Sequence, residues 1–276
     1  MTGGKFLQLQ FPFIFKMLLY SWLTLLKKNR AIAVIRASEI ERARKMALAA
    51  ARGGMELIEI TWNSPRSAEL ISQLRVQLPN CIIGTGTLLN QNQVKEAIMA
   101  GAQFLFAPHV DPLMIKAAKD SGLPIIPGAL TPTEIVAAWQ WGATCVKIFP
   151  AQPVGGPNYI RSLRGPLSQI PLIPCGGITL ENAEEFLAAG ALAVGVGTQL
   201  FPKHLVDSGN WEAISDKAAW LRERLSQSST AQPSSINSLA NSPVNLPVNP
   251  SVKLSMKSPV NSSKNLHANS HVNLQL

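Results

Sequence analysis

The sequence predicts an α/β protein, a (β/α)8 TIM barrel forming a single domain, followed by a disordered C-terminal tail. Short β-rich runs recur at 31–36, 56–61, 81–85, 103–107, 123–127, 144–149, 171–175 and 192–196. Helical segments separate them, and strands alternating with helices imply a parallel sheet covered by helices. The runs number eight, the count at which such a sheet closes into a barrel. An open doubly wound sheet is the competing architecture. No GxGxxG follows the first run, which disfavours a dinucleotide-binding fold.

Taken in order, the chain opens with the apolar stretch KFLQLQFPFIFKMLLYSWLTLL, interrupted by Gln8, Gln10, Pro12 and Lys16. A membrane span needs about 20 mostly apolar residues and a signal peptide needs a small-residue cleavage site, so neither fits. Residues 1–16 read as an extension outside the domain. Residues 17–29 read as an amphipathic helix that caps the barrel bottom, and the barrel as a whole occupies 17–227. Ser38 and Glu41 predict a capping box before EIERARKMALAAA, which Gly53-Gly54 ends. Ser64-Pro65 and Asp111-Pro112 each predict a cap residue followed by proline at the first helical position. Thr131-Pro132-Thr133-Glu134 predicts the same with a capping-box Glu, and Gly101, Gly122, Gly142 and Gly190 fall at expected helix stops. From Ser228 to Leu276 the chain turns to Ser, Asn, Pro and Val without aromatics, the composition of a low-complexity disordered tail.

Charge and cysteine content exclude several function classes. Of the net charge of +9, residues 1–30 contribute five lysines and arginines and residues 229–276 three lysines, with no acid in either segment. Residues 31–228 therefore carry only +1, which disfavours a nucleic-acid-binding body, since such binding needs a clustered basic face. The three cysteines, Cys81, Cys145 and Cys175, each lie in an apolar run. An odd number so placed points to a reducing, cytoplasmic setting. No CxxC or HxxxH spacing occurs, so the sequence supports no metal site and calls for no cofactor.

In a barrel of this kind the chemistry lies at the C-terminal ends of the strands. In the sixth run, TCVKIF, alternation puts Cys145, Lys147 and Phe149 on one face and Val146 and Ile148 on the other. The β-branched face packs under helices, so Lys147 points inward, where burial disfavours a charged amine. In the second run Glu59 points inward by the same argument, with Leu57 and Thr61, against Ile58 and Ile60. Alternate strands share a layer, so Lys147 and Glu59 face each other across the axis. A buried ion pair that merely fills the barrel is the plainer reading, and such pairs stabilise weakly. What surrounds them argues for chemistry. Gly176 and Gly177 in CGGIT, and Gly197 and Thr198 in GVGT, end the seventh and eighth runs. Loops there commonly bind phosphate through exposed backbone N–H groups. Arg36, Thr87 and Pro108 end or follow the first, third and fourth runs and face the same mouth. An arginine at that place suits a carboxylate or phosphate.

The stretches GGMELIEITWNSP, IIGTGTLLN, AGAQFLFAP, PIIPGALTPTE, VKIFPAQ and PCGGIT occur in this order from about residue 30 to 225. In them the chain resembles the 2-keto-3-deoxy-6-phosphogluconate (KDPG) and 4-hydroxy-2-oxoglutarate (KHG) aldolase family. The resemblance implies a class I aldolase on a (β/α)8 barrel, a homotrimer that acts on a small 2-keto acid, commonly phosphorylated. It implies a Schiff base on Lys147, proton shuttling by Glu59 and a carboxylate contact from Thr87. It further implies phosphate contacts from Gly176, Gly177, Gly197 and Thr198. Arg36, Pro108 and Phe149 complete the expected substrate-contact set. Two positions depart from the family pattern. Asn63 stands where well-known members carry a carboxylate-gripping arginine, which makes Arg36 the candidate replacement. Cys175 stands where many carry threonine, which removes a hydroxyl beside the phosphate turn. Cleavage of KDPG, of its galactonate epimer (KDPGal) or of KHG all remain open, as do another phosphate-binding barrel enzyme and a non-catalytic sugar-phosphate sensor.

Overall fold

A computed structural model describes residues 22–227. The expected extension over 1–16, the start of the capping helix and the tail over 228–276 lie outside the described residues. Helix α1 covers 22–29. After it, β1 (Ala31–Ile35), α2 (Ile40–Arg52), β2 (Leu57–Thr61), α3 (Ser67–Gln77), β3 (Ile82–Gly86), α4 (Gln91–Met99), β4 (Leu105–Phe106) and α5 (Pro112–Asp120) alternate. Then come β5 (Ile125–Ile126), β6 (Gly128–Ala129), α6 (Pro132–Trp141), β7 (Val146–Ile148), α7 (Gly156–Arg164) and β8 (Leu172–Pro174). The described chain ends through α8 (Ala183–Ala188), β9 (Val194–Val196), α9 (Lys203–Ser208) and α10 (Trp211–Gln227).

Every predicted β-rich run contains a strand, and every strand pairing is parallel. The fifth run holds β5 alone, and, departing from expectation, a second short strand, β6, follows it. Pro127 sits between them, and proline has no N–H for the ladder. β5 pairs back to β4, whereas β6 pairs forward to β7. The sixth, seventh and eighth runs are therefore β7, β8 and β9. The result is a six-stranded sheet, β5-β4-β3-β2-β1-β9, and a three-stranded sheet, β6-β7-β8. They meet again where Cys175 bridges to Gly195 and the Leu192 amide donates to the Leu172 carbonyl at 2.9 Å. The architecture is a curled, TIM-barrel-like parallel sheet under helices.

Strand alternation divides the interior into two apolar clusters. Ile58, Ile60, Val146, Ile148 and Leu172 pack with helix residues such as Ala43, Ala47, Leu70 and Leu74. Leu57, Phe104, Phe106, Cys145, Ile173 and Cys175 form the inner cluster. Trp22 and Leu26 of α1 belong to the inner cluster, and the Trp22 ring lies 4.9 Å from that of Phe104.

Helix punctuation matches the sequence in part. Asp111 accepts from the Leu113 amide at 2.7 Å, and Thr131 and Glu134 form the full capping box. Gly101, Gly122, Gly142 and Gly190 all adopt positive φ at helix ends, where residues other than glycine are strained. Two expected caps do not form. α2 starts behind Glu39 without a side-chain cap, and Glu41 instead binds Arg44 through two hydrogen bonds of 2.8 and 2.6 Å. A charge-assisted pair outcompetes a neutral serine cap for that carboxylate. α3 starts at Ser67 behind Arg66, so Ser64 does not cap it. Ser64 Oγ lies 3.0 Å from Thr61 Oγ1 and accepts from the Ala37 amide at 3.4 Å, tying the loops after β1 and β2 together. Among the described residues no helix is long and apolar enough to cross a membrane.

Candidate active site

Lys147 is the central residue of β7, only 8% exposed, with its amide bonded to the Pro127 carbonyl at 2.9 Å. Its Nζ lies 4.7 Å from the centre of the Phe149 ring and 5.8 Å from that of Phe106, so aromatic faces flank the amine. Glu59 is the central residue of β2 and 1% exposed. Its Oε2 has no hydrogen-bond partner. Burial pushes the carboxyl above the usual carboxylate range, and the charges of Lys147 and Arg36 pull it part of the way back. The two residues thus sense each other electrostatically, yet neither a hydrogen bond nor an ion pair joins them. A buried carboxyl with an open oxygen and a buried amine that are not paired with each other are groups a substrate can engage.

Space for the carboxylate depends on a residue the sequence reading passed over. A Cβ at Gly86 would lie 1.8 Å from Glu59 Oε1, so the glycine on the neighbouring strand lets the carboxyl sit where it does. Phe106 was also passed over. Both were visible in principle: Gly86 follows Gly84 at period two, and Phe106 lies on an even-numbered run, in the layer Lys147 shares. Cys175 is buried and senses both Lys147 and Glu59. Burial is the largest effect on its thiol and, with the charges of Lys147 and Glu59 opposing each other, pushes it up to about 11. Its Sγ occupies the space beside Gly195, where a Cβ would lie 2.4 Å away.

The remaining predicted residues lie around the strand ends. Arg36 is exposed, and its Nη2 donates to Thr87 Oγ1 at 3.4 Å. Thr87 adopts φ 62°, a left-handed backbone that is strained for a β-branched residue and that clusters at functional sites. Phe149 is 40% exposed, and the Phe149–Pro150 bond is cis. Pro108 is half-buried, with its carbonyl packed against Gly128. Gly176 and Gly177 both take positive φ, 84° and 81°. A Cβ on Gly176 would lie 3.2 Å from the Phe149 ring, so this turn borders the ring that covers Lys147. The amides of Gly176, Gly177 and Thr198 donate to no other described residue. Asn63 is exposed and makes no hydrogen bond to a described residue. Among the described residues no group of three or more His, Cys, Asp or Glu is placed to hold a metal ion.

Comparison with known proteins adds a family. The family model described as KDPG and KHG aldolase matches residues 23–217. A 2-dehydro-3-deoxy-phosphogluconate aldolase from Haemophilus influenzae is 34% identical over 189 residues, covering 68% of this chain and 89% of that protein. Among solved structures, the KDPG aldolase of Legionella pneumophila, with pyruvate captured as a covalent carbinolamine, superposes with a TM-score of 0.68 at 28% identity. The match covers 72% of this chain and 97% of that one. A cube-shaped porous cage designed by fusing symmetric oligomeric domains matches with a TM-score of 0.65 at 30% identity, over 72% of this chain and 74% of that one.

Two outcomes follow from the Glu59 environment. Because the folded-state carboxyl titrates above its ordinary range, the unfolded chain ionises first as pH rises. Stability attributable to Glu59 is therefore greatest below about pH 4.3 and falls above it. Glu59→Gln will remove this fall, so its denaturation midpoint relative to the parent will be higher at pH 8 than at pH 5. Gly86→Ala will force the carboxylate aside and cost about 1–3 kcal/mol by overpacking, measured by urea denaturation.

Proposed function

The chain belongs to the KDPG and KHG aldolase family and is a lyase, and we propose that it forms its Schiff base on Lys147 with Glu59 moving the protons. One observation carries this reading: a buried amine and a buried carboxyl share the inner face without neutralising each other. Lys147 Nζ attacks the C2 ketone of a 2-keto acid to give a carbinolamine, which loses water to form an iminium. Glu59 takes the proton of the C4 hydroxyl. The C3–C4 bond breaks, its electron pair enters the iminium to give an enamine, and an aldehyde leaves. Glu59 returns the proton to C3, and water hydrolyses the resulting iminium to pyruvate and free Lys147. No step needs a metal or an organic cofactor.

The substrate reading is KDPG, giving pyruvate and glyceraldehyde 3-phosphate, with KHG as the smaller substrate that gives glyoxylate. Three unpaired amides at Gly176, Gly177 and Thr198 support a phosphate site, with Gly197 allowing the turn. The helices that follow these turns, α8 and α9, have six residues each, so the amides rather than a helix dipole supply the attraction. Arg36 and Thr87, already in contact, would grip the substrate carboxylate in place of the arginine missing at Asn63. Phe149 and Pro108 would line the cleft. We further propose a closed (β/α)8 barrel over 17–227, in line with the bridge between Cys175 and Gly195. A homotrimer is proposed on the similarity to the cage of symmetric oligomeric domains. Three buried free thiols fit a reducing cytoplasm.

Incubation with pyruvate followed by borohydride will add the mass of a reduced pyruvyl adduct to the parent and none to Lys147→Arg. An adduct that persists in Lys147→Arg would sink the assignment. In a pyruvate-release assay, kcat/KM will be higher for the phosphorylated substrates, KDPG or its galactonate epimer, than for KHG. A preference for KHG would remove the phosphate site.

A further inference from the structure

The glycine turn after β8 is held from outside the cleft by one side chain that neither the family resemblance nor strand alternation singled out. Asn182 Oδ1 accepts from the Thr179 amide at 2.8 Å, and Thr179 Oγ1 accepts from the Asn182 amide at 3.0 Å. This reciprocal pair closes the loop ahead of α8. Asn182 Nδ2 then has two hydrogens to place. It donates to the Gly177 carbonyl at 3.1 Å and to Gln152 Oε1 at 3.5 Å. A side-chain amide has one oxygen and two donor hydrogens, and here each is engaged.

The second partner matters because Gln152 belongs to the loop that leaves the Lys147 strand. The Ala151 amide donates to the Cys175 carbonyl at 2.8 Å and the Gln152 amide to the Gly176 carbonyl at 3.1 Å. Gly177 has no Cβ because one would lie 2.3 Å from Gln152 Cβ. The carbonyls of Cys175, Gly176 and Gly177 are thus all bound on the side of the Gln152 loop and Asn182, while the amides of Gly176 and Gly177 are left unbonded. A peptide unit joins one residue's carbonyl to the next residue's N–H and moves as a plane. The Ala151 and Gln152 bonds therefore fix the Gly176 and Gly177 amides, and the Asn182 bond to the Gly177 carbonyl fixes the Ile178 amide, which donates to no other described residue.

We propose that Asn182 is a positioning residue for the phosphate end of the substrate, fixing the Gly177–Ile178 peptide and, through Gln152, bracing the Gly176–Gly177 turn, so that the amides of this segment stay available to an anion. This rests on the aldolase reading above. It predicts an effect confined to phosphate-bearing ligands, which a purely structural helix-start role would not produce. The test uses the full chain with Asn182→Ala and two readouts. One is KM and kcat for pyruvate release from KDPG. The other is the pyruvate concentration giving half-maximal borohydride trapping on Lys147, since pyruvate carries no phosphate. The expected result is a KM for KDPG raised about tenfold or more, with kcat and half-trapping by pyruvate changed less than about twofold. An unchanged KM, or an equal shift in both readouts, overturns the proposal. Should Asn182→Ala fail to fold, the neutral Asn182→Ser, whose hydroxyl can still accept from the Thr179 amide, must show the same split. A parent protein that traps no pyruvate would sink the aldolase reading itself, a different result from any of these.

Discussion

Burial of one carboxyl group is the constraint on which the rest of this structure depends. Glu59 sits at the middle of a strand that is buried on both faces, with one oxygen unpaired. Removing a carboxylate from water is costly unless something compensates. Compensation comes from a distance, through the charges of Lys147 and Arg36, and the group remains displaced from its ordinary titration range. Its neighbours are shaped around it. Gly86 leaves the volume its oxygen fills, and Cys175 and Gly195 interlock beside it. A site of this kind is held by packing, and its reactive groups are left incompletely satisfied for a substrate to complete.

A second layer of constraint lies in the loops. Thr87 is forced into a left-handed backbone next to Arg36, and the glycine turn after β8 is tied to the loop carrying Phe149 and Gln152. Neither loop depends on a long helix for its shape. The first is fixed by the Arg36 bond to the Thr87 hydroxyl, the second by bonds that consume its carbonyls and leave the Gly176 and Gly177 amides open among the described residues. The rigid inner strands set where bonds break, and the loops set what kind of molecule reaches them.

Much of this was legible in the sequence because it follows from short-range rules. Period-two alternation placed Lys147 and Glu59 inward, and the two apolar clusters bear that out through Val146, Ile148, Ile58 and Ile60 on one side and Cys145 and Leu57 on the other. Glycine at helix ends and the Thr131–Glu134 box were readable for the same reason. The failures were competitions between partners. Glu41 could serve Ser38 or Arg44, and Ser64 could cap a helix or bridge two loops. The winner depended on neighbours that local sequence does not reveal. The split at Pro127 lies between these cases, since the missing N–H is written in the sequence but the change of partner strand is not.

The sequence by itself determined where the eight β-rich runs fall and their order, which face each reactive residue takes, and the family. Those properties depend on periods of two and 3.6 residues and on motifs that span a few positions. Only the tertiary structure decided that Glu59 and Lys147 stay unjoined, that Gly86 makes the space for the carboxylate, and that Asn182 fastens the glycine turn. These are distances between side chains from separate strands and loops, and they exist only once the sheet has curled and brought its far edges together.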